Sequence, residues 1–167
     1  MTKKLLKIIL VNLHIIYKFT KGKDMQVVGS DIRVIEGVSK EEIYNKWADI
    51  NGWHLFNDDI KYAKLSGEFK EGNFFTLGLK DGQKVKIQLF KIEKNKSFTD
   101  LTKFPFAKMY GIHEMKEIDG KIEMKVTIRI EGILSFLWKK IVAQGVADKA
   151  GDDMDRLIKL IRDEKQK

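Results

Sequence analysis

Six strand-like segments follow one another from residue 60 onward, and short turns rather than helices separate them. They span 60–69, 73–80, 83–94, 97–105, 108–118 and 121–131. Asp81-Gly82 and Asp119-Gly120 lie between consecutive segments, and Asp-Gly is a strong hairpin signal because both residues tolerate a positive φ angle. In the last segment apolar residues alternate with charged ones, so one face of the strand is expected to be buried. The pattern predicts an antiparallel meander.

The remaining elements lie on both sides of this meander. Residues 26–36 are typical of one more strand, and Ser39 with Glu42 forms a capping box that predicts a helix over 40–48. Residues 53–58 predict one further short helical turn. The segment 134–163 predicts one long amphipathic helix, because apolar residues recur at three- and four-residue steps. Its stripe consists of Ala143, Val146, Ala147, Ala150, Met154, Leu157, Ile158 and Ile161.

The sheet is the only large partner for the apolar stripe of that helix. The predicted fold class is therefore α+β, with a curved seven-stranded antiparallel sheet wrapped around a long C-terminal helix and two short helices after the first strand. A strongly curved sheet around one helix normally leaves a cavity between them.

Several stretches, in this order, resemble the START-like or SRPBCC superfamily, particularly its polyketide cyclase/dehydrase and lipid-transport branch. They are VSKEEIYNKWADINGWHLFND, LSGEFKEGNFFTL, FTDLT, the region around His113, and KVTIRIEGILSFL. The likeness covers about residues 26–165. It implies the helix-grip fold and a pocket for a lipid, a polyketide or another apolar molecule. It carries over no common catalytic set, and no cofactor is expected.

The composition narrows the class of partner. The chain has no cysteine, which excludes disulfides, thiolate metal sites and cysteine nucleophiles and is compatible with a cytoplasmic location. Of the net charge of +8, residues 1–24 contribute +5 through six lysines and one aspartate. Only +3 remains for the other residues, without a basic cluster or an RNA-binding motif, so nucleic-acid binding is not expected.

Residues 1–24 form a separate N-terminal extension, and residues 25–167 are expected to form a single ligand-binding domain. The apolar run from Leu5 to Tyr17 is shorter than the ~20 residues that a membrane-spanning helix needs. Lysines on both sides of the run fit an amphipathic membrane anchor. The alternatives are a signal peptide, an extra element packed on the domain, or an extension upstream of a start at Met25.

The stretch WADINGWHLFND, residues 47–58, contains two tryptophans six positions apart. Trp47 is expected in the core, and Trp53 and Phe56 are expected at the rim of the cavity as ligand contacts. His54 and Asp58 are four residues apart, but a metal site needs a third protein ligand and none is supplied nearby. A solvent-exposed His54 and no metal are therefore predicted.

The other candidate ligand contacts lie on the strands and at the start of the C-terminal helix. They are Phe98, Phe104, Phe106, Met109, Tyr110, His113, Met115, Leu137 and Ile141. Alternation in FTDLTKFPF places Asp100 on the same face as Phe98, Thr102, Phe104 and Phe106. A carboxylate in an apolar wall is unfavourable unless paired or protonated, and such perturbation marks functional sites. One bulge would instead turn Asp100 to solvent.

These features support three functional hypotheses. The preferred one is a non-catalytic binding or carrier protein that holds a hydrophobic small molecule, lipid-like or aromatic, in an internal cavity lined by aromatic residues and methionines. It is preferred because the sequence holds no nucleophile–base pair, phosphate loop or metal cluster. The second is a cyclase- or dehydratase-like enzyme with Asp100 and His113 as acid and base, assisted by Tyr110. The third is a membrane-associated lipid handler anchored by residues 1–24. The oligomeric state stays open.

Overall fold

The computed structural model describes residues 24–166, in which seven strands form one antiparallel sheet. The strands are β1 (Gln26–Ile35), β2 (Ile60–Ser66), β3 (Phe74–Leu79), β4 (Lys84–Glu93), β5 (Ser97–Phe104), β6 (Ala107–Ile118) and β7 (Lys121–Glu131). Their order across the sheet is β1-β7-β6-β5-β4-β3-β2. Every predicted strand is present, and the largest difference is at β2, which ends at Ser66. The predictions for residues 1–23 fall outside the described residues.

Two short helices follow β1, as predicted. Helix α1 (Lys40–Ala48) begins at the capping box: the Glu42 backbone N–H donates to the Ser39 hydroxyl at 3.2 Å, and the Ser39 N–H donates to the Glu42 carboxylate at 2.7 Å. A 3-10 helix (Ile50–Leu55) comes next. Hydrogen bonding from Lys165, and from the Ser39 backbone, lowers the pKa of Glu42 to about 2. Glu42 therefore joins α1 to the C-terminal end of the chain.

The predicted long C-terminal helix is confirmed: residues 135–164 are helical without a break, and only the winding changes along them. Helix α2 (Ser135–Trp138) leads into a π-helical turn (Lys139–Ala143), and helix α3 (Gln144–Glu164) follows. Trp138 is held by the β5–β6 turn and α3 is packed on β1, so the wider π turn lies between two fixed ends. Val146, predicted in the apolar stripe, is 40% exposed.

Helix α3 approaches β1 closely because small residues face each other. A Cβ atom added to Gly29 of β1 would lie 2.9 Å from the Cβ of Ala147. The core fills the space between the inner face of the sheet and α1, the 3-10 helix and α3. The most deeply buried large side chains are Phe75, Phe98, Ile43, Ile50, Leu89, Met124, Ile130, Met154 and Leu157. Among residues 24–166, every helix is too short or too polar to cross a membrane.

Candidate functional site

A carboxylate–imidazole pair lies on the inner face of the sheet. In the β5–β6 ladder Asp100 is opposite Gly111 and Phe98 is opposite His113, so Asp100 and His113 are diagonal neighbours on one face. Their Oδ2 and Nε2 atoms are 3.2 Å apart. Asp100 is only 8% exposed, as alternation along β5 predicts, and the alternative in which a bulge turns it to solvent is wrong.

Gly111 provides the room for this carboxylate. A Cβ atom at position 111 would lie 2.5 Å from Oδ2 of Asp100. Any side chain there would displace the carboxylate and separate it from His113. A glycine inside a strand often marks such a close approach, and the sequence places it in the middle of β6.

Aromatic rings surround His113. The Phe98 ring stacks on the imidazole with centroids 4.1 Å apart and an interplanar angle of 4°. Trp47 and Trp53 lie 5.6 Å and 6.3 Å from it, and Trp53 donates its indole N–H to the Trp47 carbonyl at 3.0 Å. The Nδ1 atom of His113 is buried and has no hydrogen-bond partner within the described chain. The pair therefore lies in a packed aromatic cluster.

Most predicted ligand contacts lie within this packed interior. The buried ones are Trp53, Phe56, Phe98, Met109 and Met115, all less than 10% exposed, while His113 is partly buried. Trp47 is 2% exposed, which confirms its predicted place in the core. Trp53 and Phe56 were expected at the rim of the cavity, but they pack on each other, and Trp53 also packs on Phe75. Their role as ligand contacts stays a prediction.

Tyr110 was predicted to assist Asp100 and His113, but it lies on the opposite face of the sheet from them. Side chains alternate between the two faces along β6, so position 110 faces the opposite side from positions 109, 111 and 113. The Tyr110 hydroxyl donates to Glu131 at 2.7 Å. Burial first, and then Glu131, raises the pKa of Tyr110 to about 12. Tyr110 therefore stays protonated at neutral pH.

Leu137 and Ile141 also point away from the interior, with exposures of 40% and 60%. His54 is exposed as predicted, and Asp58 pairs with Arg156 at 2.7 Å rather than with His54. Within the described part of the chain no group of three histidine, aspartate or glutamate side chains is arranged to hold a metal ion.

The surface of the described residues includes two clefts whose linings contain neither Asp100 nor His113. The first, about 470 Å³, lies between β1 and α3 and is lined by Arg33, Val34, Ile35, Asp155, Ile158, Lys159, Arg162, Asp163 and Gln166. The second, about 570 Å³, lies at the end of the sheet. We call it the end cleft; its walls are Lys103, Phe104, Phe106, Ala107, Lys108, Glu131, Gly132 and Ile133.

The end cleft is built from two connected turns. The backbone N–H of Leu134 donates to the Phe106 carbonyl at 3.2 Å, and the Trp138 indole donates to the Pro105 carbonyl at 3.0 Å. The Trp138 ring stacks on Phe104 at 4.5 Å. Phe104 and Phe106 were predicted as ligand contacts on the same face of the sheet as Asp100, but Phe106 lies in the β5–β6 turn and is 73% exposed. Trp138 and the lysines at the rim were not predicted. Trp138, the third tryptophan of the chain, directly follows the stretch KVTIRIEGILSFL and could have been recognised as a candidate from the sequence.

Comparison with solved structures shows which fold this is. A hypothetical protein from Helicobacter pylori superposes with a TM-score of 0.64 at 12% identity, covering 86% of this chain and 92% of that one. Ara h 8.0201 gives 0.64 at 14% identity over 84% and 99%. Norcoclaurine synthase from Thalictrum flavum gives 0.63 at 9% identity over 86% and 90%. The chain has the START-like helix-grip fold.

At these identities the likeness shows the START-like fold alone. No family model matches the chain. No curated protein matches it in sequence either. One of the similar structures is the Thalictrum flavum synthase in complex with dopamine and hydroxybenzaldehyde, with a TM-score of 0.62 at 8% identity.

Proposed function

We propose that this START-like chain is a non-catalytic binding or carrier protein for a hydrophobic small molecule. The end cleft carries the proposal, because about 570 Å³ is within the range of roughly 300–1,000 Å³ typical of ligand pockets. Phe104, Phe106, Ala107 and Ile133 give it apolar walls. A synthase of the same fold holds dopamine and hydroxybenzaldehyde, which supports a small aromatic or lipid-like ligand. Residues 25–167 would be the binding domain, in the cytoplasm.

We expect the ligand to bind first in the end cleft, because the interior is filled. Trp47, Trp53 and Phe98 occupy the space around His113, so the buried candidate contacts become available only if this cluster opens. The rim of the cleft carries Lys103, Lys108 and Glu131, and Glu131 pairs with Lys108 at 3.7 Å. Lys103 has no carboxylate partner within the described residues, and an ammonium group beside an apolar wall favours an apolar molecule with an acidic group.

The three tryptophans report where a ligand binds. Trp138 stacks on a wall of the end cleft, whereas Trp47 and Trp53 lie in the interior cluster. We expect oleate to change the tryptophan emission of the native chain and to leave the emission of a Trp138→Phe variant unchanged. Native mass spectrometry should still detect the complex in that variant.

The matched control is Trp53→Phe, which should keep the oleate response. If the response is lost in Trp53→Phe but persists in Trp138→Phe, the ligand lies in the interior cluster and the end cleft is the wrong site. If neither oleate nor any copurified apolar molecule is found on the native chain, the carrier function is contradicted.

A second candidate function is acid–base catalysis of cyclisation or dehydration by Asp100 and His113. The observation that favours it is their 3.2 Å contact on an apolar face of the sheet. A polar pair in such a place is weak support for stability, since replacing both partners by apolar groups of similar shape is often neutral or stabilising. A buried polar pair that contributes little to stability is a candidate for a chemical role.

The stability of paired and single substitutions tests this idea. We expect Asp100→Leu and His113→Phe each to lower the free energy of unfolding by about 1–3 kcal/mol, because each leaves one polar partner buried. The double variant should melt at or above the temperature of the native chain. If the free energy of unfolding of the double variant falls by the sum of the two single losses, the pair has a structural role. Loss of dehydration of a β-hydroxy carbonyl substrate in the double variant would support catalysis.

A further inference from the structure

Exposed apolar side chains lie at the end cleft and on the helical turns joined to it. They are Phe106, Phe136, Leu137 and Ile141, with exposures of 73%, 65%, 40% and 60%. Phe106 lies in the β5–β6 turn and the other three lie in or just after α2. The two hydrogen bonds and the ring stack described above connect these elements. We call this surface the docking face. Contiguous apolar side chains that stay in water mark interaction surfaces.

The backbone at Phe106 supports this reading. Pro105 and Phe106 form the two-residue turn between Phe104 and Ala107. Phe106 has a φ angle of +57°, in the region that turns normally fill with glycine or asparagine. A phenylalanine there is strained, and its largely exposed ring gains little from the rest of the fold. Such strain fits a ring that is presented to a partner.

The charge around the docking face identifies that partner. Lys103 lines the end cleft, and Lys139 and Lys140 directly follow α2. Within the described residues none of these three has a carboxylate oxygen within 4.0 Å, whereas Lys108 at the same cleft pairs with Glu131 at 3.7 Å. Residues 132–147 contain Lys139 and Lys140 and no acid. An apolar surface with a basic rim is the combination that binds anionic bilayers, in which rings enter the acyl boundary and ammonium groups meet the headgroups. We propose that the docking face binds an anionic lipid surface.

Charge also argues against two other occupants. Residues 1–23 precede Gln26, which pairs with Ile130 close to the end cleft, but they hold six lysines and no acid. Covering the docking face with this segment would bring like charges together. A symmetric dimer through the same face would oppose lysine to lysine. An anionic bilayer instead attracts both basic regions.

Co-sedimentation of the full chain with vesicles tests the proposal. We expect binding to vesicles of phosphatidylcholine with phosphatidylserine and little binding to phosphatidylcholine alone. Lys140→Glu and Phe136→Ser should each weaken binding about tenfold. Phe106→Gly should also weaken it, and because glycine relieves the positive φ angle, its melting temperature should not fall. A loss of binding in that variant therefore cannot result from unfolding.

Two control variants change the same properties elsewhere. Lys159→Glu makes the same charge change about 28 Å farther along the helical segment, and Leu55→Ser removes a side chain that is 59% exposed outside the docking face. Both should bind as the native chain does. If the docking-face variants bind unchanged, residues 1–23 alone attach the protein and the proposal fails. It also fails if the native chain ignores anionic vesicles, or if Phe106→Gly alters only the oligomeric state.

Discussion

Trp53→Ala is expected to lower the free energy of unfolding by about 3–5 kcal/mol, the usual loss when a large aromatic side chain is removed from a core. Trp53 is 9% exposed and contacts the rings of Phe75, Phe98 and His113. Its removal also leaves the Trp47 carbonyl without the indole donor. For a domain of this size the melting temperature should fall by about 10 °C. Thermal and urea unfolding followed by circular dichroism would measure both quantities.

The same variant tests whether the interior is a filled core or a ligand chamber. A packed core should keep an apolar cavity after truncation, and such a cavity binds small apolar molecules of its own shape. Added indole should therefore raise the melting temperature of Trp53→Ala and leave the native chain unchanged. Leu55→Ala, in the same 3-10 helix but 59% exposed, is the control and should change stability by less than about 0.5 kcal/mol. Equal, small losses in both variants would mean that the interior is open.

Local patterns predicted most of the architecture because each depends on neighbouring residues only. The Ser39–Glu42 capping box predicted where α1 begins, and Asp119-Gly120 predicted a hairpin in which both residues adopt positive φ. The seven strands and the helix at the end of the chain follow from period-two and helical periodicity. The π turn at Lys139–Ala143 was missed, since it depends on the distance between two packed ends and not on the local sequence.

The candidate site was predicted in part, and the errors concern which face of a strand or helix a side chain occupies. Alternation along β5 allowed an inward Asp100 but left open a bulge that would expose it, and the structure has it inward beside His113. Tyr110 is an odd number of residues from His113 in β6, so its place on the other face could have been predicted from the sequence. Ile141 precedes the buried Ala143 by two residues, which puts it about 200° around the helix and hence toward solvent. Whether Trp53 lines a cavity or fills it depends on side-chain volumes across the sheet, which no pattern along the chain encodes.

Gly132→Ala is expected to have an effect of similar size for a different reason. Gly132 joins β7 to α2 at a φ angle of +113°, and an added Cβ atom would lie 2.7 Å from the Cα of Ala107 and closer still to the Phe106 carbonyl oxygen. Both obstructing atoms belong to backbone, so no side chain can move aside. Strain and displacement of the Leu134–Phe106 hydrogen bond together should remove about 3 kcal/mol or more of stability.

Gly120→Ala separates backbone strain from the collision. Gly120 has a φ angle of +74°, but an added Cβ atom there meets nothing within 4 Å. This control should lose only about 1–2 kcal/mol, the cost of a left-handed conformation for alanine. Equal losses in the two variants would show that the contact between the two turns is loose. A much larger loss at Gly132 would mean that the end cleft and the docking face are held by backbone against backbone, so that a ligand or a lipid surface meets a preformed site.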